Sequence, residues 1–433
     1  MTEDVATPAA AVTQAMLPGV PPSYPAAVWI GTIDEADVVS GRFRLVGLEG
    51  YRRARLLIRS GRSPRGFIEL PVVGASVDQS EVRAAVDQLP PAVARRAGGR
   101  PPITVVLCTF DRPAYLVPAV GALLELDYPD FEIVVVDNHP ASGLVTSTLR
   151  SIDDGRIRVL EQPRRGLARA RNTGVVAARH DIVAFTDDDV IVDRSWLQGI
   201  ADGFAAEPHV ACVTGIVPAG EITSESQSYF DRRVSWARSC RPEVFSLTSV
   251  RRSEPLFPFE VGMFGTGANF AIRRDVVVAL GGFDEAFGVG SRVGGGEDID
   301  MFVRVLLAGH QLVYEPAALA WHRHRSDVES LTVQMNDYGR GLGAWITKLA
   351  VNPRTLPMVA RRVVPALRHL HRVTNPQWQA QSPSPHESMS RIERRAVLDG
   401  PLALARARLS GAMSRPLSPA RHRRRSARIT EPG

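Results

Sequence analysis

The middle of this sequence predicts an α/β fold, built on a mainly parallel, Rossmann-like sheet with helices on both faces. Three observations carry that prediction. Short β-branched runs alternate with segments of helical spacing from Ile103 onward. The runs are apolar throughout, as in strands buried on both faces. Polar residues gather where the runs end, and ligands of such sheets bind at the carboxyl ends of the strands.

The elements follow in order. Ile103 to Cys108 reads as the first strand and Ala114 to Leu126 as a helix. Glu132 to Asp137 is a second strand, Arg156 to Leu160 a third, Gly166 to His180 a helix, and Asp181 to Thr186 a fourth strand. Their polar ends are Thr109 and Asp111, then Asp137 and Asn138, then Asp187-Asp188-Asp189. Ile299 to Gly309 reads as a helix, Gln311 to Glu315 as β-like, and Val328 to Leu349 as a long helix.

Ahead of this body, short β-like runs start at Val28, Phe43, Ala54 and Gly66, separated by turn formers such as Ser60-Gly61-Arg62-Ser63-Pro64. Residues 81–89 read as a short helix, and Gly98-Gly99-Arg100-Pro101-Pro102 as part of a linker. The expected organisation is a disordered, Ala- and Pro-rich stretch over 1–25 and a small β-rich appended module over 26–100. The α/β body over 101–350 follows, then a helical, Arg-rich, partly disordered tail over 351–433.

Composition narrows the class. Among 433 residues, 44% are hydrophobic and 23% charged, as in soluble globular proteins. The three cysteines lack metal-ligand spacing, which argues against a zinc site or disulfide framework and for a reducing cytoplasm. No signal peptide or membrane-spanning run is read from the sequence. The net charge of +6 is unevenly placed: residues 352–433 hold 16 Arg, no Lys and four acids, giving +12, so residues 1–351 carry −6. The basic balance therefore does not point to a nucleic-acid-binding body. The block Arg421 to Arg428 reads either as a solvated tail or as a peripheral contact with anionic lipid. The expected location is cytoplasmic, with the membrane's inner face as the place of any such contact.

The aspartate triplet concentrates charge at a strand end, where unpaired burial is costly and a cation is the natural partner. Oxygen ligands suit a hard divalent ion such as Mg2+ or Mn2+. An Asp-rich turn that merely caps or solvates a loop is the alternative.

Five ordered stretches give the segment Ile103 to about Arg325 a resemblance to the inverting family 2 glycosyltransferases of the GT-A fold. They are Thr104 to Pro113, Val134 to Asn138, Arg165 to Gly174, the Asp-x-Asp stretch Phe185 to Asp189, and Gly294 to Arg304. The resemblance implies transfer of a sugar from a nucleoside-diphosphate sugar to an acceptor hydroxyl, on a glycan, a lipid-linked molecule or a small molecule. Thr109, Asp111, Asp137, Arg165, Arg171, Asn172, Asp187 and Asp188 would bind the donor, Asp137 through the base's imide N–H. Asp187 and Asp189, i and i+2 on an extended chain, would face one Mn2+ or Mg2+ ion with His322 as third ligand. The Asp of Glu297-Asp298 would be the general base, so Asp298 takes that role beside Glu297. Arg169 is expected on a solvated helix face, and Asp284 and Glu285 at an acceptor site or a turn. Two other readings compete: a nucleotidyltransferase, and a catalytically silent sugar-nucleotide-binding scaffold. No Gly-rich basic signature follows the first strand, where Asp111-Arg112-Pro113 stands instead. No Gly-x-Gly-x-x-Gly follows it either, which disfavours a dehydrogenase.

Overall fold

The computed structural model describes residues 10–16, 22–93, 98–234, 236–237, 239–248, 255–365 and 386–410. The basic block Arg421 to Arg428 lies outside the described residues.

The N-terminal part contains β1 (Ala10–Val12), β2 (Val28–Asp34), β3 (Phe43–Leu45), β4 (Arg53–Ser60) and β5 (Ser63–Pro71), with helices α1 (Glu35–Ser40) and α2 (Gln79–Asp87). β2 pairs parallel to β4, and β4 antiparallel to β5. Their inner faces and both helices enclose a core that includes Trp29, Leu56, Ile58 and Val82. Disorder expected over residues 1–25 does not hold for residues 10–16. There β1 pairs with β3, and Val12 and Met16 are buried. Composition alone hides this, because two well-placed apolar side chains anchor an otherwise Ala- and Pro-rich stretch. Among the described residues, ion pairs tie this part to the body: Arg55 to Asp231 at 2.9 Å, Arg59 to Asp193 at 2.7 Å and Arg62 to Asp202 at 3.1 Å.

In the body, strands β6 (Ile103–Thr109), β7 (Phe131–Asp137), β8 (Ile157–Glu161), β9 (Ile182–Asp187), β11 (Val210–Thr214), β12 (Glu243–Phe245), β13 (Asn269–Arg273) and β14 (Gln311–Tyr314) form one sheet. Its order is β12-β14-β11-β13-β9-β6-β7-β8. Pairings among β9, β6, β7 and β8 are parallel, as is β11 with β14. β13 runs antiparallel between β9 and β11, and β12 antiparallel at the edge. The fold is thus mixed α/β on a mainly parallel sheet. A short ribbon of β10 (Val190–Val192) and β15 (Ala320–His322) stands beside it.

The helices are α3 (Pro113–Leu124), α4 (Leu144–Leu149), α5 (Leu167–Ala177), α6 (Trp196–Phe204), α7 (Glu225–Arg233), α8 (Arg274–Ala279), α9 (Glu297–Leu307), α10 (Val328–Val351), α11 (Leu356–Ala360) and α12 (His386–Leu409). Alternation along β6 sends Ile103, Val105 and Leu107 to one face, against Leu116, Val120 and Leu123 of α3. Val106 and Cys108 point to the other, against Ala168, Ala170 and Val175 of α5. Close packing is tight enough that a Cβ on Gly174 would meet Val106 at 2.4 Å. Glycines also set α10 against α12. A Cβ on Gly339 would fall 2.2 Å from the Glu393 carbonyl, and one on Gly343 1.9 Å from that of Val397. The contacts advance together along both helices, so the pair is parallel.

Candidate active site

The carboxyl ends of β6, β7 and β9 open onto a cavity of about 530 Å³. Thr109, Arg165, Asp187, Asp188, Asp189 and His322 belong to its wall, with Arg112 and Arg325. The N-terminal half of α10 closes the other side through Glu329, Ser330, Val333, Gln334, Asp337 and Tyr338.

Strand pairing brings the first acidic group together. β9 ends at Asp187, the chain turns, and β10 starts at Val190, which lies opposite His322 in the antiparallel ribbon. His322 Nε2 therefore faces Asp189 Oδ1 at 3.5 Å. Arg112 donates to Asp188 at 2.5 Å and to Asp189 at 3.1 Å. Arg325 stands 3.4 Å from Asp189, and Thr109 Oγ1 donates to Asp188 at 2.7 Å. Burial opposes ionisation of Asp189, but His322, Arg112 and Arg325 outweigh it and hold the group at about 2. Asp188 goes the other way, to about 7, through burial and the charge of Asp189. Burial, with the charges of Asp189 and Asp298, raises Asp187 to about 6 against the pull of Arg171. His322 is pushed down by burial, which favours the neutral, ligand-competent imidazole. Its Nδ1 meets Nδ1 of His324 at 3.0 Å, so one ring donates to the other.

The second acidic group forms at the start of α9. Arg171, only 1% exposed, donates to Glu297 at 2.8 Å, to Asp187 at 3.3 Å and to the Gly267 carbonyl at 2.9 Å. Burial and the charge of Asp298 raise Glu297 to about 7, against Arg171. Both oxygens of Asp298 accept backbone hydrogens, Oδ2 from Gly267 at 2.7 Å and Oδ1 from Ile299 at 2.8 Å. Glycine is needed at 267, where a Cβ would sit 2.9 Å from Asp298 Oδ2.

Several expected residues have other tasks. Among the described residues, no three His, Cys, Asp or Glu side chains gather at metal-holding distances. Asp189 and His322 are together, whereas Asp187 turns to Arg171. Arg171 was expected on base or phosphate, but its guanidinium is consumed as a strut between carboxylates. Asn172, expected at the donor, exchanges two hydrogen bonds with the Phe283 backbone at 2.9 and 2.8 Å. Asp137 is buried and accepts from His139 N at 2.9 Å, which caps the turn after β7. Asp111, at a left-handed φ of 52°, accepts from Ser142 at 2.5 Å and from the His139 ring. Arg169 is half-buried on Glu285 at 2.9 Å rather than solvated. Asp284 holds Lys348 at 2.8 Å and Arg408 at 2.9 Å, pinning α10 and α12. Glu297 and Asp298 stand outside the cavity wall, joined to it through Arg171 and Asp187.

Sequence reasoning gave no role to Arg112, Arg325, His324 or the α10 wall. Arg112 was adjacent to a motif, and Arg325 and His324 stood in the stretch after Trp321. Nothing in α10 distinguished a wall from a packed helix.

Fold and site together define a mixed α/β architecture with acidic groups at the strand ends. Residues 104–281 match the family model described as Glycosyl transferase family 2. The "Pre-mycofactocin glycosyltransferase" of Mycobacterium tuberculosis is 30% identical over 233 residues, covering 48% of this chain and 46% of that protein. The "Glucosyl-dolichyl phosphate glucuronosyltransferase" of Haloferax volcanii is 23% identical, covering 51% of this chain and 69% of its own. Among solved structures, the mannosyltransferase PcManGT from Pyrobaculum calidifontis, in complex with GDP-Man and Mn2+, aligns at a TM-score of 0.41. It is 20% identical over 74% of this chain and 76% of that one. The chain spans less than half the length of the mycobacterial relative.

Proposed function

We propose that the chain is an inverting glycosyltransferase, moving a sugar from a nucleoside-diphosphate sugar to an acceptor hydroxyl in a metal-assisted step. The single observation that carries this reading is the approach of His322 Nε2 to Asp189 Oδ1, at 3.5 Å, in the wall of a cavity formed by strand ends. A divalent ion fits this donor set: oxygen plus imidazole nitrogen suits Mn2+ or Mg2+. Asp189 and His322 would hold it, with Asp187 as the third ligand once it exchanges Arg171. When bound, such an ion offsets the charge that develops on a departing diphosphate.

The chain's own residues supply the rest. Arg112, Arg165 and Arg325 give the cavity wall positive charge for an anionic donor. Thr109 fixes Asp188, and Asn138 fixes the loop before α5 by bonding Gln162, Arg164 and Gly166. Asp298, aimed by Gly267 and Ile299, accepts the proton of the attacking hydroxyl. Asp337 is a second candidate for that proton, because it belongs to the cavity wall and burial raises its pKa, making it a stronger proton acceptor. The acceptor's identity and a peripheral membrane location stay part of this proposal. Among the described residues, no helix is long and apolar enough to cross a membrane.

Donor hydrolysis across a panel of nucleotide sugars, with and without Mn2+, tests the reading. Turnover of one donor, dependent on the ion, is expected. Absence of turnover together with no donor-induced rise in Tm would leave a silent scaffold.

A further inference from the structure

α12 presents an outward face that nothing in the described chain covers. Leu398 is 79% exposed, Leu402 53% and Leu409 88%. Spaced at i, i+4 and i+11, they share one side of the helix along about 17 Å. Exposed Arg391, Arg394, Arg395 and Arg406 border the stripe, and Asp399 is the one exposed acid on this helix among the residues whose exposure is described. The opposite side is committed to the body: Ala396, Ala403, Leu404 and Ala407 are buried. Glu393 is held by Arg233 at 2.9 Å, and Arg408 by Asp284 at 2.9 Å. The stripe is therefore fixed in orientation rather than free to turn inward.

Exposed leucines are costly in water, and three in register need a partner. Charge selects among the occupants. Residues 411–433 carry six Arg and one Glu, so folding this segment back would set arginine against arginine. A second copy meeting the stripe in a symmetric contact would do the same. An apolar surface rich in negative charge satisfies both parts of the face.

We propose that the outward face of α12 docks on an anionic lipid bilayer, with Leu398, Leu402 and Leu409 entering the headgroup boundary and the arginines meeting lipid phosphates. The inference does not depend on the transfer reaction. α12 packs along α10, whose N-terminal half walls the cavity, so docking would hold the cavity one helix layer from the membrane.

The test is flotation of the full chain with phosphatidylcholine vesicles, plain or containing phosphatidylglycerol. Three proteins are compared: the wild type, L398S/L402S/L409S, and a variant with the five arginines of 421–428 changed to Gln. Circular dichroism and Tm verify folding of each. Wild type should bind the anionic vesicles, with binding reduced by salt, and the serine variant should lose about tenfold or more of it. Three results each overturn the proposal. One is no binding of wild type to anionic vesicles. A second is full binding by the serine variant with loss only in the Gln variant, which assigns the contact to the tail. The third is wild-type self-association in sedimentation that the serine substitutions abolish.

Discussion

The two acidic groups, one in the cavity wall and one behind it, are built from the same parts and behave differently. Each sets carboxylates against an arginine. Arg112, on the Asp188–Asp189 side, keeps 26% of its side chain exposed, while Arg171, between Asp187 and Glu297, keeps 2%. An exposed guanidinium can leave for solvent when another cation or an anionic ligand arrives. A buried one cannot leave without stranding charge in a medium of low polarity. The first group has a counterion that can be replaced, and the second is a frame in which Arg171 stays on Glu297 and on the Gly267 carbonyl, whose residue also donates to Asp298.

That contrast can be broken in four ways. The largest effect is expected from Asp298→Asn: transfer falls about 100- to 10,000-fold while donor affinity, read by calorimetry, is kept. If Asp337→Asn takes that loss instead, the proton acceptor lies on α10. Next, Arg171→Met leaves buried carboxylates uncompensated and should cost about 3–5 kcal/mol in urea unfolding. A cost near that of an exposed ion pair would erase the distinction between frame and counterion. Third is a pH effect at Glu297. Its folded value, about 7, lies above the ordinary 4.5, so the folded protein keeps a proton that the unfolded chain has released. Stability conferred by the neutral form is complete below about 4.5 and declines as pH rises toward 7. Glu297→Gln should flatten this decline in Tm against pH. Smallest is Arg112→Gln, expected to raise Mn2+ affinity a few-fold by removing a competing cation, with little change in Tm. Weaker Mn2+ binding would show that Arg112 supports the ion rather than yields to it.

The fold was legible where period and composition agree. β6, β7, β8 and β9 lie within two residues of their expected bounds, because continuous β-branched runs have few alternatives. The stretch from β11 to β12 was not read at all, since its strands are short and its order in the sheet depends on antiparallel β13. The site was half legible. Motif order located Asp187 to Asp189 and His322 at one cavity, but could not say which polar groups are spent internally. Arg171 and Asn172 carry the residue types of a binding site and are spent on holding its shape. The difference is set by hydrogen-bond geometry, to which a one-dimensional pattern is blind.

Insertion of β13 between β9 and β11 also has a temporal consequence. During synthesis, β6 to β9 can zip in the order they emerge, with α3 and α5 closing over them. The remaining half must wait for residue 269, some eighty positions later, before it has an edge to join. The nascent chain thus carries an open flank on β9 for several seconds of translation, at about 5–20 residues per second. That flank, rather than the finished protein, is where a chaperone would find its grip.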